Sequence, residues 1–556
     1  MCATAGRIMT RKTPEIIEVD PHQLQEVVRR AEKSLDQSDA ELIRAVFESY
    51  AYVADLVHDK NTSIRRLRKL FFGARTEKTD AVVGRTTDSE AAAAGKPSAE
   101  DSDEAESDEA DGKPAQTGHG RTRAAAYRGA ERIEVPHESL RAGDLCPECQ
   151  QGTLYENSPG VLVRITGQAP LEAKVYQLQK LRCHLCGKIF TAQAAEAAGS
   201  QKYDATAASM IALLKYGSGL PFNRLECLQR DLEIPLPAST QWDIVQAFAP
   251  GVAPAFEELI RQAAQGDVVH NDDTTVKILE LMGDRAREAK DEEEYPSRTG
   301  LFTSGIVALR EGHRMALFFS GRRHAGENLA EVLKLRAEEL GRPIQMCDAL
   351  SRNMPSELAT IVANCLAHAR RQFVDVYDRF PQECRTVLEA LKVVYHNDAI
   401  ARREGMSAEQ RLCFHQAHSQ ETMHQLHNWL RQQLDDKLVE PNSALGAAIG
   451  YMLIRWEKLT LFLRQAGAPL DNNLCERALK KAILHRKNAL FFKTQNGARV
   501  GDIYMSLIHT CELNQANPFD YLTELLRHSD EAAADPGRWM PWNYRATLET
   551  LLQTAA

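Results

Sequence analysis

The sequence predicts a multidomain α+β protein, and three observations carry that prediction. Two Cys-x-x-Cys pairs, at 146–149 and 183–186, bracket strand-like runs. Residues 267–348 then run strand, strand, strand, helix, strand, with an acid closing the first strand and another closing the fourth. A long helical stretch follows, and a further acid stands at residue 476, at the head of a basic helix.

Composition sets the frame. The chain has 556 residues, 43% hydrophobic and 26% charged, which is ordinary for globular domains and long enough for several of them. Its formal charge of −9 is concentrated: Glu100, Asp101, Asp103, Glu104, Glu106, Asp108, Glu109 and Asp111 account for nearly all of it. Local basic clusters therefore decide whether the partner is nucleic acid. The N-terminus has no signal-peptide core, and no run of about 18 apolar residues occurs, so a cytoplasmic location with no membrane contact is expected. In that compartment the twelve cysteines are reduced, which favours metal ligation over disulfides.

Residues 38–72 read as one helix. Val46, Tyr50, Val53, Val57, Lys60, Ile64, Leu67 and Phe71 alternate at spacings of four and three, the seam of a short coiled coil and hence of a homo-oligomer. Packing within its own domain is the alternative. Residues 79–128 have almost no large apolar side chains and read as a disordered acidic linker. Cys146, Cys149, Cys183 and Cys186 can present four thiolates to one tetrahedral Zn²⁺, and the runs Val161–Ile165 and Val175–Leu181 suit a zinc ribbon. Residues 204–249 predict three helices, broken at Gly217–Pro221 and Pro235–Pro237; Phe222–Leu232 with Ser239–Phe248 fits a helix-turn-helix as well as plain helical packing.

The core begins with a strand at Asp267–His270 that runs into Asn271-Asp272-Asp273-Thr274-Thr275. Strands Leu301–Leu309 and Arg314–Ser320 follow around a turn at Glu311-Gly312. A helix, Asn328–Leu340, and a strand, Pro343–Cys347, lead to Asp348. This order is that of a ribonuclease-H-like catalytic core, in which the first and fourth strands are neighbours and their terminal acids converge. Hard carboxylate oxygens there suit Mg²⁺ or Mn²⁺, two per site. Glu476 supplies a third carboxylate. Asn473 through Glu476 alone also spell a helix capping box, but Arg477, Lys480, Lys481, Arg486 and Lys487 continue the helix as a phosphate-contacting face. Residues 349–475, opening with Cys365 through Arg371, are read as a helical insertion.

These residues resemble the transposases of the insertion-sequence 66 family, the TnpC type within the DDE superfamily, from about residue 60 to 535. The motifs are Leu70-Phe71-Phe72-Gly73 with Glu77-Lys78, the two cysteine pairs, Asp272-Asp273-Thr274 and His368-Ala369-Arg370-Arg371. Asp471-Asn472-Asn473 with Glu476-Arg477, Arg486-Lys487-Asn488, Gly497-Ala498-Arg499 and Pro518-Tyr521-Leu522 complete the set. The resemblance implies that Asp272, Asp348 and Glu476 form the acidic triad holding Mg²⁺, and that the four cysteines form a structural zinc site. It also implies that Arg370 and Arg371 join the basic helix on double-stranded DNA, both terminal inverted repeats and target, with small accessory proteins of the same element as further partners. Where the family usually shows Asp-Glu-Thr this chain has Asp272-Asp273-Thr274, which leaves Asp272 and Asp273 as rival first ligands, the motif position favouring Asp272.

The implied organisation is an N-terminal helical segment (1–78), linker (79–128), zinc ribbon (129–198), helical domain (199–260), first part of the core (261–382), helical insertion (383–465), core completion (466–535) and a tail (536–556). The implied function is metal-dependent DNA strand cleavage and strand transfer. A ribonuclease-H-fold nuclease or resolvase without strand transfer would use the same triad. A zinc-containing DNA-binding regulator without activity would not need all three acids.

Overall fold

A computed structural model describes residues 143–144, 170–182, 189–193, 201–283, 298–355 and 360–555. The expected coiled coil, the acidic linker and all four paired cysteines lie outside the described residues. The second cysteine pair falls in sequence between two short strands, β1 (Lys180–Arg182) and β2 (Ile189–Thr191), which pair antiparallel. Chain contacts set residues 1–89 with 377–388 apart from the rest; in the described part of that unit, 377–388, the buried side chains include Cys384, Val387 and Leu388.

Three helices precede the core: α1 (Ala205–Ala212, continued by a wider turn at Leu213–Gly217), α2 (Phe222–Asp231) and α3 (Ala238–Ala264). The predicted breaks fall where they were expected. The third helix, however, does not end near Phe248; it passes through Pro250 and Pro254. Val252, Ala255, Leu259 and Ala263 are buried at helical spacing between and beyond the prolines, so packing of that stripe outweighs the lost backbone hydrogen bonds.

The central sheet has five strands in the order β5–β4–β3–β6–β7. They are β3 (Val268–Thr275), β4 (Phe302–Arg310), β5 (His313–Gly321), β6 (Ile344–Cys347) and β7 (Ile361–Asn364). The first three form an antiparallel meander; β6 pairs parallel with β3, and β7 parallel with β6. The β4–β5 turn forms at Glu311-Gly312, both in the left-handed region (φ 50° and 83°), as the sequence predicts. The sequence does not predict the strand β7; it falls among residues assigned to the first part of the core (261–382), ahead of the expected helical insertion (383–465). The helix after β5, α4, covers Ala325–Leu333 and stops before Leu340. Just beyond it Arg336 leaves the helix to bind the carbonyls of Ala264, Gly266 and Gly341.

Helices α5 (Leu366–Val376), α6 (Pro381–Arg403), α7 (Ala408–His418), α8 (Gln420–Asp435) and α9 (Ala444–Ile454) follow. At their centre the nearly buried Asp398 takes Arg411 and Arg402, each at 2.6 Å, and His415 at 3.3 Å. Those partners hold its carboxyl at about 2 despite burial. The chain returns to the sheet with α10 (Asn473–Ala489) and α11 (Gln495–Leu513).

α10 lies across β3 and β4 on one face. Gly305 makes that approach possible, because a Cβ there would stand 2.9 Å from Leu479 Cδ2. On the opposite face Asn328 of α4 donates to Ser304. α11 covers the free edge of β5. Arg314, Ala316, Phe318 and Ser320 donate their outward N–H groups to Asn514, Thr510, Ser506 and Asp502 in turn. Four helical residues rise about 6 Å and two strand residues advance about 6.6 Å, so an i, i+4 row of polar side chains matches every second amide of the edge. An exposed edge would template aggregation; here a helix closes it.

Candidate active site

The site forms where the strands end. Register places Val268 opposite Ile344 and His270 opposite Met346; two residues further on, the same register sets Asp348 beside Asp272. Cys347 pairs with Asn364, so Cys365 comes next in the row. This is the carboxyl end of adjacent parallel strands, where ligands of open α/β sheets bind.

Asp272 and Asp348 converge on one amide. Asn353 Nδ2 donates to Asp272 Oδ1 at 3.3 Å and, by a shorter bond, to Asp348 Oδ1. Asn353 is 0% exposed, and its own carbonyl accepts from Asn271 and Gln345 on β3 and β6. Its Oδ1 is buried without a hydrogen-bond partner. Burial first, then the charges of Asp348 and Asp273, push the Asp272 carboxyl up to about 7; the Asp273 N–H and Asn353 offset only part of this.

Asp273 occupies the other face. Its side chain is 1% exposed and pairs with His324 Nδ1 at 3.0 Å and Arg352 Nη2 at 3.2 Å. Its charge is ion-paired but still adds to the rise at Asp272, whose own carboxyl faces Asp348.

Glu476 stands in the first turn of α10. Its neighbour Cys475 donates to Gly305 O, opposite Asp272 in the sheet, and the charges of both Asp272 and Glu476 raise the Cys475 thiol after burial has done so. The Glu476 carboxylate lies 3.8 Å from His368 Nδ1. The capping box does not form. The residue preceding α10 is Asn472, whose amide is engaged by His270 at 3.1 Å and Asn271 O at 3.2 Å. His270 is itself held neutral by burial, its pKa lowered to about 4.

The basic residues divide. Arg477, Lys480 and Lys487 are exposed on α10. Lys481 is paired with Glu512 at 2.9 Å. Arg486 reaches back to Thr274 and Thr275, clamping the end of β3. Arg370 and Arg371 are half-buried in α5, both with partners. Sequence reasoning missed Asn353, for which no local pattern exists. It also passed over His368, although the motif His368-Ala369-Arg370-Arg371 contained it.

The donor chemistry fits a hard divalent cation: two half-buried carboxylates on one donor whose own Oδ1 is orphaned, and, facing Glu476, the orphaned His368 Nδ1. A mixed sheet with such acids at adjacent strand ends, and a third acid on the helix laid across it, defines an α+β protein built around a carboxylate site. The chain belongs to the IS66 transposase family: the model described as "Transposase IS66 family" matches residues 201–500, more than half of its length. It is 27% identical over 365 residues to the uncharacterized protein y4hP of Sinorhizobium fredii (strain NBRC 101917 / NGR234), covering 61% of this chain and 62% of that protein. It is also similar to y4jD (29% over 255 residues; 45% and 46%) and y4qI (25% over 346 residues; 60% and 61%) of the same organism. The chain thus spans about three fifths or less of these curated relatives.

Proposed function

We propose that this chain is a DDE-type DNA transposase that binds the terminal inverted repeats of an insertion sequence and catalyses metal-dependent cleavage and joining of its ends. One observation carries the reading: Asp272 and Asp348 meet at Asn353, with Glu476 on the helix packed across the strand that holds Asp272. The strand order, with β3 between its antiparallel partner β4 and its parallel partner β6, supports a ribonuclease-H-like core interrupted by the helices of residues 366–454.

In this reading Asp272, rather than the ion-paired Asp273, joins Asp348 and Glu476 in holding Mg²⁺ or Mn²⁺. Two such ions, when bound, activate a water or 3′-hydroxyl and stabilise the leaving oxygen at DNA phosphodiesters. Asn353 fixes the spacing of the two aspartates. Arg352 and His324 engage the carboxylate of Asp273, which leaves Asp272 as the freer ligand. Arg477, Lys480 and Lys487 offer exposed cations to the phosphate backbone, while Arg486 holds the strand rather than DNA. Cys146, Cys149, Cys183 and Cys186 hold one structural Zn²⁺, and residues 38–72 associate two copies.

The test incubates the protein, Mg²⁺ and a duplex carrying the element's terminal repeat with a target plasmid. Asp272→Asn, Asp348→Asn and Glu476→Gln should each abolish cutting and joining while leaving binding to the ends largely intact. Full activity in Glu476→Gln would remove the triad. Cutting without joining would make the protein a nuclease of the same fold.

A further inference from the structure

We propose that His368 is a further metal ligand, its Nδ1 sharing a divalent ion with Glu476; the inference rests on the carboxylate reading above. Nδ1 is buried and has no hydrogen-bond partner. The nearest acceptor, Glu476 Oε1, is 3.8 Å away, too far for a hydrogen bond. Two ligands bonded at about 2.1 Å to one ion stand roughly 3 Å apart when adjacent and about 4.2 Å apart when opposite. The observed separation falls inside that span, so the ion can enter with little side-chain movement.

The backbone fixes both residues. Leu366 N–H at the start of α5 donates to Leu470 O, and Asn472 N–H donates to Cys365 Sγ at 3.3 Å. These bonds lash the head of α5 to the chain entering α10, and therefore His368 to Glu476. Cys365 Sγ lies within 4.8 Å of both ligand atoms, but it already accepts that N–H and is 1% exposed. It forms the wall of the site, and in the Cys365–His368–Glu476 group of the described residues the imidazole supplies the nitrogen ligand. Mg²⁺ holds almost exclusively to oxygen, whereas Mn²⁺, at the weak end of the first-row transition series, still accepts imidazole beside carboxylates, so a nitrogen at this position raises affinity for Mn²⁺ relative to Mg²⁺.

Pulsed electron paramagnetic resonance of Mn²⁺ on the zinc-loaded full-length protein tests this. The ¹⁴N modulation of a bound imidazole should be present in the wild type and absent in His368→Gln, with Mn²⁺ affinity lower by at least about tenfold. His368→Asp should lose the nitrogen signal yet keep most of the affinity, which separates lost ligation from lost folding. Mn²⁺ on the acidic segment 100–111 contributes no nitrogen signal. Mn²⁺ held by the wild type without ¹⁴N modulation, or modulation that survives in His368→Gln, overturns the inference and leaves the carboxylate reading standing. Binding that is no stronger in the wild type than in Asp272→Asn overturns both.

Discussion

With Asp272 as the proposed metal ligand, its raised carboxyl would make metal binding a proton-release reaction. A metal ligand must be ionised, and Asp272 titrates at about 7 instead of 3.8, first because it is buried and then because Asp348 and Asp273 repel its charge. Below pH 7, therefore, each unit of pH should change the apparent metal affinity about tenfold, and above it the affinity should level off. Between pH 5.5 and 7 the gain should be roughly fifteenfold, because half of the carboxyl is still protonated at pH 7. Calorimetric titration with Mn²⁺ in two buffers of different ionisation enthalpy should find about one proton released per site at pH 6 and almost none at pH 8.

Stability carries the same term with the opposite sense. The folded pKa lies above the unfolded one, so the contribution is greatest at low pH and is lost as pH rises from about 4 to 7. The rise from 3.8 to about 7 amounts to about 4 kcal/mol, which a bound metal would restore by favouring the ionised form. Asp502 is likewise raised to about 7 by burial, beyond what Ser320 offsets, but it is engaged at the edge of β5, so metal should leave its share untouched. Metal affinity that is flat from pH 5.5 to 8, or binding at pH 6 without proton release, would refute the reasoning.

Three further outcomes are expected. Thr510→Val strips the acceptor from the Ala316 N–H on the edge strand, and should cost about 1–3 kcal/mol in denaturant unfolding. Asp398→Asn leaves Arg411, Arg402 and His415 without their shared carboxylate, and should destabilise the helical region by about 3–5 kcal/mol in thermal unfolding. Elemental analysis should give about one zinc per chain, lost in a Cys183→Ser, Cys186→Ser double variant; unchanged zinc content would remove the ribbon site.

Local pattern carried the sequence reading where side chains announce their neighbours. Glu311-Gly312 marks a hairpin turn, and the apolar runs on either side become β4 and β5. Asp272 in the second half of β3 and Asp348 just after β6 were legible because strand order alone makes those positions adjacent. What escaped depends on contacts distant in sequence. β7 is four residues long and is a strand because β6 supplies its partner. Asp502, Ser506, Thr510 and Asn514 spell a solvated helical face, and only the open edge of β5 explains why the first three are buried. Asn353 lies 81 residues from one of its aspartates and five from the other, so no spacing rule points to it.

Glu476 shows how such contacts decide between two readings of the same four residues. As part of a capping box it would accept an N–H at the start of α10, and Asn473 would be the cap. The helix instead begins at Asn473 behind Asn472, whose amide is held by His270 and Asn271. Asp471 accepts the Asn473 N–H at 3.1 Å, so that donor too is satisfied without Glu476. The glutamate is left facing His368 across 3.8 Å. A capping glutamate replaced by alanine would cost about 1 kcal/mol. For Glu476→Ala in metal-free protein the expected change is within about 0.5 kcal/mol, the range of substitutions away from structural features. The same variant should lose Mn²⁺ affinity by at least about tenfold. Chemical denaturation without metal measures the first quantity and Mn²⁺ titration the second. A clear loss of metal-free stability with unaltered Mn²⁺ binding would return Glu476 to the helix end.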